Sequence, residues 1–467
     1  MKLQLWLAVW ALVCATIVAL GFIVNEPLLM VVLVAAPLAL ASILVCRRLD
    51  PERDLRLTEL FLIAVSVRWL AATVIQYLIY PSRPYLFAVD EGGYAAWGVE
   101  LSRHLSSPLP NATFSLKQPG IIWLTGLCYY LVGPVILLPK LINGIFGAWA
   151  AVFTARIAAH ATSDEASRRA GLMAALFPSL VLWGSVLLKD MHTLLGALMC
   201  LFGATRLLER GQARNLVLIA AGLGLVISNR AYQGLFVAVG MLAAYFAKRN
   251  PSKGKLRSWI MTAVLLSVLV GMLSGVFSEW ITPAGDQEGL SERVNVIRRG
   301  YTDADSALDV TGYDTSTPLG MLAWLPIGVA AMYLAPIPFT GSSTISSATT
   351  PEMLIWYMLL PAIIRGLGTA YRSGALRRIA GPVAYVVVAS VGWATVITNV
   401  GSLYRYRAQT LVFLLILLAI DQVRRKNEKE ERKRAAESRL KLLSAQPARR
   451  QDRLEQPLVE PGVAGRS

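Results

Sequence analysis

Two carboxylates stand side by side at Asp90 and Glu91, in the stretch FAVDEGGYAAWGVELSRHL between apolar runs. A carboxylate placed beside an acceptor hydroxyl acts as a general base, and carboxylate oxygens suit Mg²⁺ or Mn²⁺. Tyr94 follows in the same stretch. Cations come at intervals along the chain: Lys117, Lys140, Lys189, Arg230, Arg405 and Arg407, with Asp190 joined to Lys189 and Tyr232 close to Arg230. Fixed cations in a partly desolvated site stabilise an anionic leaving group such as a phosphate. Each feature also has a plainer reading. Asp90 and Glu91 suit the first turn of a helix running from Gly92 to Leu105. The pair Lys189-Asp190 suits a tight hairpin, Arg230 can snorkel to lipid headgroups, and Tyr404-Arg405-Tyr406-Arg407 suits an aromatic belt.

The elements that carry these residues are membrane helices. The chain has 467 residues, 55% hydrophobic and 16% charged, with a mean hydropathy of +0.54, whereas a soluble domain carries about a quarter charged residues. Apolar runs such as Leu5 to Phe22, Leu28 to Val45 and Ile260 to Val276 approach the length of about 20 residues that spans a hydrocarbon core. They recur along the chain, so a signal peptide does not explain them. Net charge is +16. The basic residues cluster at 46–56, 206–214, 248–257, 371–378 and after Arg424, which reads as cytoplasmic loops with added attraction to anionic lipids. No basic stretch carries the interleaved aromatics that stack on bases, which argues against nucleic acid as a partner. The four cysteines, Cys14, Cys46, Cys128 and Cys200, lack metal-type spacing and read as small buried hydrophobes.

With the N-terminus inside, crossings at 5–24, 28–46 and 58–80 deliver residues 81–119 to the outer face. Positive-inside bookkeeping then requires that 120–138, interrupted by Gly126 and Gly133-Pro134, stay on the outer side, and that 321–339, with Pro326, Pro336 and Pro338, not cross. The expectation is an all-α polytopic protein of the cell membrane with about twelve crossings and both termini cytoplasmic. Residues 1–422 form the transmembrane domain, with outer loops 81–138 and 281–350. Residues 423–467 form a mixed-charge cytoplasmic tail, a solvated helix that frays into disorder. The loop 281–320 reads as a lid or surface cover, with an interfacial helix around Val294 and Ile297 beside Arg293, Arg298 and Arg299. His104, His160 and His192 lack ligand spacing.

The run Asp90-Glu91-Gly92-Gly93-Tyr94, followed by KQPGIIWLTGLCYYLVG (117–133), PKLINGIFGAWAAVFTARIA (139–158) and LMAALFPSLVLWGSVLLKD (172–190), resembles the first half of the GT-C membrane glycosyltransferases. The likeness is to the bacterial group that includes aminoarabinose transferases and protein O-mannosyltransferases. In that group an Asp-Glu pair opens the first large outer loop, a Lys-Pro segment follows, a basic residue starts the next crossing and another Asp closes the one after. The resemblance covers residues 60 to 250. Lys117 is followed by Gln118-Pro119 where Pro-Pro is usual, and Lys140 stands where Arg is common. No large soluble C-terminal domain is read, so the resemblance names no acceptor.

The resemblance implies transfer of a sugar from a polyprenyl-phosphate carrier to a glycan, lipid or protein acceptor at the outer face, by a single inverting displacement. Asp90 is then the base, Glu91 orients it or shares a divalent cation with it, and Asp190 supports either role. Lys117, Lys189, Arg230 and Arg405 face the phosphate with Lys140 behind them, and Tyr94, Tyr232 and Arg407 complete the substrate-binding set. Two other readings stand beside this one. An O-antigen-type polymerase or ligase would work through Arg293, Arg298 and Arg299. A lipid or glycan transporter or flippase would hold its charges near the bilayer midplane.

Overall fold

A chain that crosses lipid must satisfy its backbone N–H and C=O groups without water, and a helix does so within one segment. The computed structural model describes residues 2–49, 55–107, 119–247, 261–262, 264–266, 317–339 and 344–454, and no β-sheet forms among them. Lys117, Gln118, the loop from 281 to 316 with Arg293, Arg298 and Arg299, and most of the apolar run from Ile260 to Val276 lie outside the described residues.

In chain order the helices are α1 (Lys2–Val24), α2 (Leu28–Leu49), α3 (Leu57–Val74, continuing as a π-helical turn Ile75–Ile79), α4 (Asp90–Ser106), α5 (Gly120–Val132), α6 (Leu137–Ala161), α7 (Asp164–Leu176) and α8 (Pro178–Trp183). They continue as α9 (Asp190–Arg210), α10 (Ala213–Arg230), α11 (Gln233–Phe246), α12 (Pro318–Leu334), α13 (Thr344–Arg372), α14 (Ala375–Arg378), α15 (Ala380–Val396) and α16 (Val400–Leu454). Among the described residues seven are long and apolar enough to cross a membrane: α1, α2, α3 with its π turn, α6, α9, α13 and α16. Large apolar side chains such as Leu12, Phe22, Leu33 and Leu44 stand exposed on α1 and α2, which suits contact with lipid tails. The protein is thus an all-helical, multi-pass membrane protein. Among the described residues these seven long helices stand beside the expected count of about twelve, and α5, α11, α12 and α15 are apolar but shorter. The 13 residues of α5 extend about 20 Å, short of a hydrocarbon core about 30 Å thick. At the other end of the chain α16 runs unbroken out of the bundle, exposed along most of Arg425 to Lys441, and Lys426 reaches back to Glu165 of α7 at 2.9 Å.

Three local arrangements set the frame for the polar residues. Leu101 of α4 packs with Ile121 and Ile122 of α5 and with Leu187, which ties the amphipathic α4 to the segment leading into α9. Pro178 forces Phe177 into extended backbone and parts α7 from α8. The carbonyls freed there need partners, and the buried guanidinium of Arg68 supplies them, donating to Ala175, Ala174 and Leu180 at 2.8, 3.1 and 3.3 Å. Asn143 of α6 donates to the carbonyls of Trp183 and Val186 at 3.2 and 2.7 Å, which fixes the irregular stretch that presents Lys189 and Asp190. Finally, α9 and α10 form an antiparallel hairpin. Gly211 turns the corner at φ 63°, a left-handed conformation that glycine adopts without strain. A Cβ on Gly196 or Gly222 would lie 2.5 or 2.6 Å from the other residue's carbonyl oxygen, so the two backbones meet directly. That hairpin returns Arg230 to the level of Asp190.

Candidate functional site

Asp190, the first residue of α9, is fully buried and holds two guanidiniums. Arg230 Nη1 lies 3.0 Å from Asp190 Oδ1, and Arg405 Nε lies 2.6 Å from Oδ2. Arg405 then reaches outward, its Nη1 2.8 Å from Asp90 Oδ2. One planar guanidinium therefore bridges the buried carboxylate and the exposed one, a fork that lysine's point charge does not reproduce. The Asp90 side chain is 52% exposed where that of Arg405 is 16%. Among the described residues Asp90 Oδ1 has no hydrogen-bond partner.

Helix periodicity explains the rest of the cluster. Tyr94 is four residues after Asp90 on α4 and so shares its face; burial first and the Asp90 charge next push its phenol up to about 12. Gln409 is four residues after Arg405 on α16, and its amide donates to Asp190 Oδ1 at 3.2 Å. Tyr406 lies beneath Arg230, ring to guanidinium 4.3 Å, and Tyr232 donates to the Tyr406 hydroxyl at 3.5 Å. Lys189 is half-buried beside Arg230, Tyr406, Asp190 and Arg405. Its ammonium makes no hydrogen bond or ion pair with the described residues, and burial first, then the Arg230 charge, pull its pKa below the usual 10.5.

Three cations, Lys189, Arg230 and Arg405, thus face two carboxylates, Asp90 and Asp190, a net charge of +1 with all five ionised. Arg405 Nη2 and Arg230 Nε are buried and have no hydrogen-bond partner among the described residues. Buried donors in that condition cost stability unless a ligand satisfies them. The arrangement suits an anion with several acceptor oxygens, approached from the side on which Asp90 is exposed.

The remaining expected site residues lie elsewhere. Glu91 sits about 100° around the helix from Asp90 and turns into the bundle, fully buried. It pairs with Lys140, also fully buried, and accepts from the Tyr80 hydroxyl at 2.8 Å, while Lys140 donates to Gln76 at 2.6 Å. Asp90 and Glu91 therefore do not present a common face to a divalent cation. Among the described residues no group of three or more His, Cys, Asp or Glu side chains gathers there. Arg407 is two residues from Arg405 and faces the opposite side of α16. It lies 3.5 Å from Glu352 and packs against the rings of Tyr404 and Trp356, with Tyr404 donating to Glu352 at 2.8 Å. Lys140 and Arg407, expected among the substrate contacts, stand instead in closed interhelical pairs. Lys117 lies outside the described residues.

Sequence reasoning passed over Gln409, Arg68 and Asn143. Gln409 carried a signal, its spacing of four from Arg405, whereas Arg68 and Asn143 serve carbonyls more than 35 residues away in the chain and show no local pattern. No protein-family model, curated protein or solved structure matches the chain.

Proposed function

We propose that the protein is an integral-membrane glycosyltransferase that moves a sugar from a polyprenyl-phosphate carrier to an acceptor hydroxyl of a glycan, lipid or protein. In this reading the site lies at the outer face of the cell membrane, both termini are cytoplasmic, and the product belongs to the cell envelope. The observation that carries it is the bridge Asp90–Arg405–Asp190 with Arg230 and Lys189 alongside, an exposed carboxylate joined to a cationic floor.

Each part of that constellation has a task in one displacement. Asp90 Oδ1 takes the proton of the acceptor hydroxyl as its oxygen bonds to the anomeric carbon. The bond from that carbon to the phosphate oxygen breaks, and its electron pair stays on the lipid phosphate. Arg405, Arg230 and Lys189 meet the charge that grows there. Attack from the face opposite the leaving phosphate inverts the anomeric centre. Arg405 holds Asp90 Oδ2, which fixes the base over the donor, and Asp190 with Gln409 holds Arg405. Tyr94 stays neutral through the physiological range and offers a hydroxyl donor to the sugar or phosphate. A divalent cation, if one takes part, would add charge stabilisation beside Asp90; every proton and phosphate role above is filled by the chain's own residues.

The test is transfer in proteoliposomes with a panel of labelled polyprenyl-phosphate sugars, comparing the unmodified protein, Asp90→Asn and Arg298→Ala at matched expression. The unmodified protein is expected to consume one donor of the panel, Asp90→Asn to lose about 10²- to 10⁴-fold in rate, and Arg298→Ala to retain it. Full activity in Asp90→Asn with loss in Arg298→Ala would overturn the mechanism and move the chemistry to the loop 281–320.

A further inference from the structure

The face of α4 that carries Asp90 continues along the helix as an open stripe. Asp90, Gly93, Trp97 and Glu100 fall within about 80° of one another around the axis. The Asp90, Trp97 and Glu100 side chains are each about half exposed, and Glu100 lies 3.7 Å from the more exposed Arg103. Of the three glycines in α4, two have packing reasons. A Cβ on Gly98 would lie 2.4 Å from the Thr125 side chain, and one on Gly92 would lie 3.1 Å from the Tyr85 ring. A Cβ on Gly93 would meet nothing within 4 Å among the described residues. Glycine inside a helix costs stability relative to alanine, and what it offers in return is close approach of another molecule to the backbone.

Trp97 is the large apolar side chain of this stripe. A tryptophan that anchors a protein in lipid sits at headgroup level beside apolar surface. Here Asp90, Glu100 and Arg103 share its surface, and carboxylates facing lipid are costly, so the stripe faces water. Along the axis Gly93 is about 4.5 Å and Trp97 about 10 Å from Asp90, the span of a disaccharide. A pyranose has an apolar C–H face that packs on an indole and hydroxyls that both donate and accept, which Glu100 and Arg103 can meet. A peptide acceptor is held in a groove or along a sheet edge, and a single helix face offers neither. An acyl chain would desolvate the three charged groups. We propose that this stripe is the acceptor subsite and that the acceptor is a sugar, its hydroxyl at Asp90 Oδ1, its ring over Gly93 and the next ring on the Trp97 indole. The inference rests on the glycosyltransferase reading and narrows its acceptor to a saccharide, free or as the headgroup of a glycolipid. The hydroxyl oxygen bonds to the anomeric carbon, its proton passes to Asp90 Oδ1, and the lipid phosphate leaves with the electron pair of the broken bond.

The test uses the full chain in proteoliposomes, the labelled donor that it consumes, and an envelope extract of the cells in which the protein is native as the source of acceptor. Linkage analysis of the labelled product is expected to find the transferred sugar on the hydroxyl of another sugar, and solvent extraction then separates glycolipid from free glycan. Label on serine or threonine, or on a lipid with no sugar between, would overturn the proposal. Titrating the extract, Trp97→Ala is expected to raise the acceptor KM about tenfold, the order of one aromatic contact, with donor affinity unchanged. Trp97→Phe is expected to keep most of the contact. Gly93→Leu fills the open space with a better helix former, so it is expected to lose transfer while its thermal midpoint holds. A sugar product made normally by both Trp97→Ala and Gly93→Leu sinks the stripe alone. If the unmodified protein consumes no donor, or Asp90→Asn transfers normally, the transferase reading falls and the subsite falls with it.

Discussion

Asp90 and Glu91 are consecutive in the chain and serve two different structures. Asp90 is half exposed and held by one guanidinium, on one oxygen. Glu91 is sealed between Lys140 and Tyr80 at the junction of α4, α6 and the π turn. Arg405 and Arg407 divide in the same way on α16, one bridging two carboxylates at the site and the other enclosed with Glu352 and two aromatic rings. The difference is one of remaining capacity. A closed pair has its charges neutralised by the protein and reports on packing, whereas an open cluster with surplus cations, an ammonium without an ion-pair partner and a carboxylate facing outward keeps room for a ligand.

The largest expected effect separates stability from chemistry at these neighbouring carboxylates. Glu91→Gln strands the Lys140 ammonium in a buried site, which costs about 3–5 kcal/mol. A large fall in thermal midpoint in detergent is the expected outcome, whereas Asp90→Asn is expected to melt close to the unmodified protein. Replacing both members of the closed pair, Glu91→Leu with Lys140→Met, removes the stranded charge and is expected to recover most of the loss. Transfer activity in that double variant is the decisive reading. If it folds and fails to transfer while donor affinity is intact, Glu91 belongs to the reaction after all.

The same contrast marks how far the sequence could be read. Helical class, membrane character and the start of a helix at Asp90 follow from composition and spacing, because burial of apolar runs in lipid leaves the backbone few other choices. Asp190, Arg230 and Arg405 were legible as ionisable groups at the ends of apolar segments, where a charge is costly without a purpose. Which neighbour of each charged pair turns inward was not legible. That is decided by the rotation of α4 and α16 about their axes, and the rotation depends on packing partners such as Leu101 against Leu187 and Tyr404 against Glu352, far away in sequence. Lys140 and Arg407, expected among the substrate contacts, turn into closed pairs for this reason. Lys140 lies on a helix start whose surroundings are supplied by α3 and α4, and no local pattern announces a buried carboxylate waiting across the bundle.

A smaller effect is expected from Lys189, whose ammonium has no ion-pair partner among the described residues to leave behind. Lys189→Ala removes one charged contact to a phosphate, worth about 1.5–3 kcal/mol, and so is expected to weaken donor binding by about tenfold to hundredfold with little change in thermal midpoint. Equilibrium binding of a nonreactive polyprenyl-phosphate analogue checks it. Unchanged affinity would mean that the two arginines alone hold the phosphate, and would narrow the open cluster to Asp90, Arg405, Asp190 and Arg230.

The smallest effect is in the pH profile of that binding. Burial and the neighbouring Arg230 charge hold the Lys189 pKa below the usual 10.5. The ammonium is therefore fully present at low pH and is lost as pH rises through this lowered value, so donor affinity is expected to begin falling at a less alkaline pH than for an ordinary lysine. The other groups facing Lys189 are Arg230, Arg405, Asp190 and Tyr406. The two guanidiniums stay charged across the range, and Asp190 sits ionised between them. Tyr406 is the one neighbour with an ionisable hydroxyl, and Tyr406→Phe removes it. Lys189→Arg is expected to flatten the alkaline limb, because a guanidinium keeps its proton throughout. A limb that persists in Lys189→Arg and vanishes in Tyr406→Phe would assign the titration to the phenol beneath Arg230, and would make the aromatic floor, not the ammonium, the part of the open cluster that senses pH.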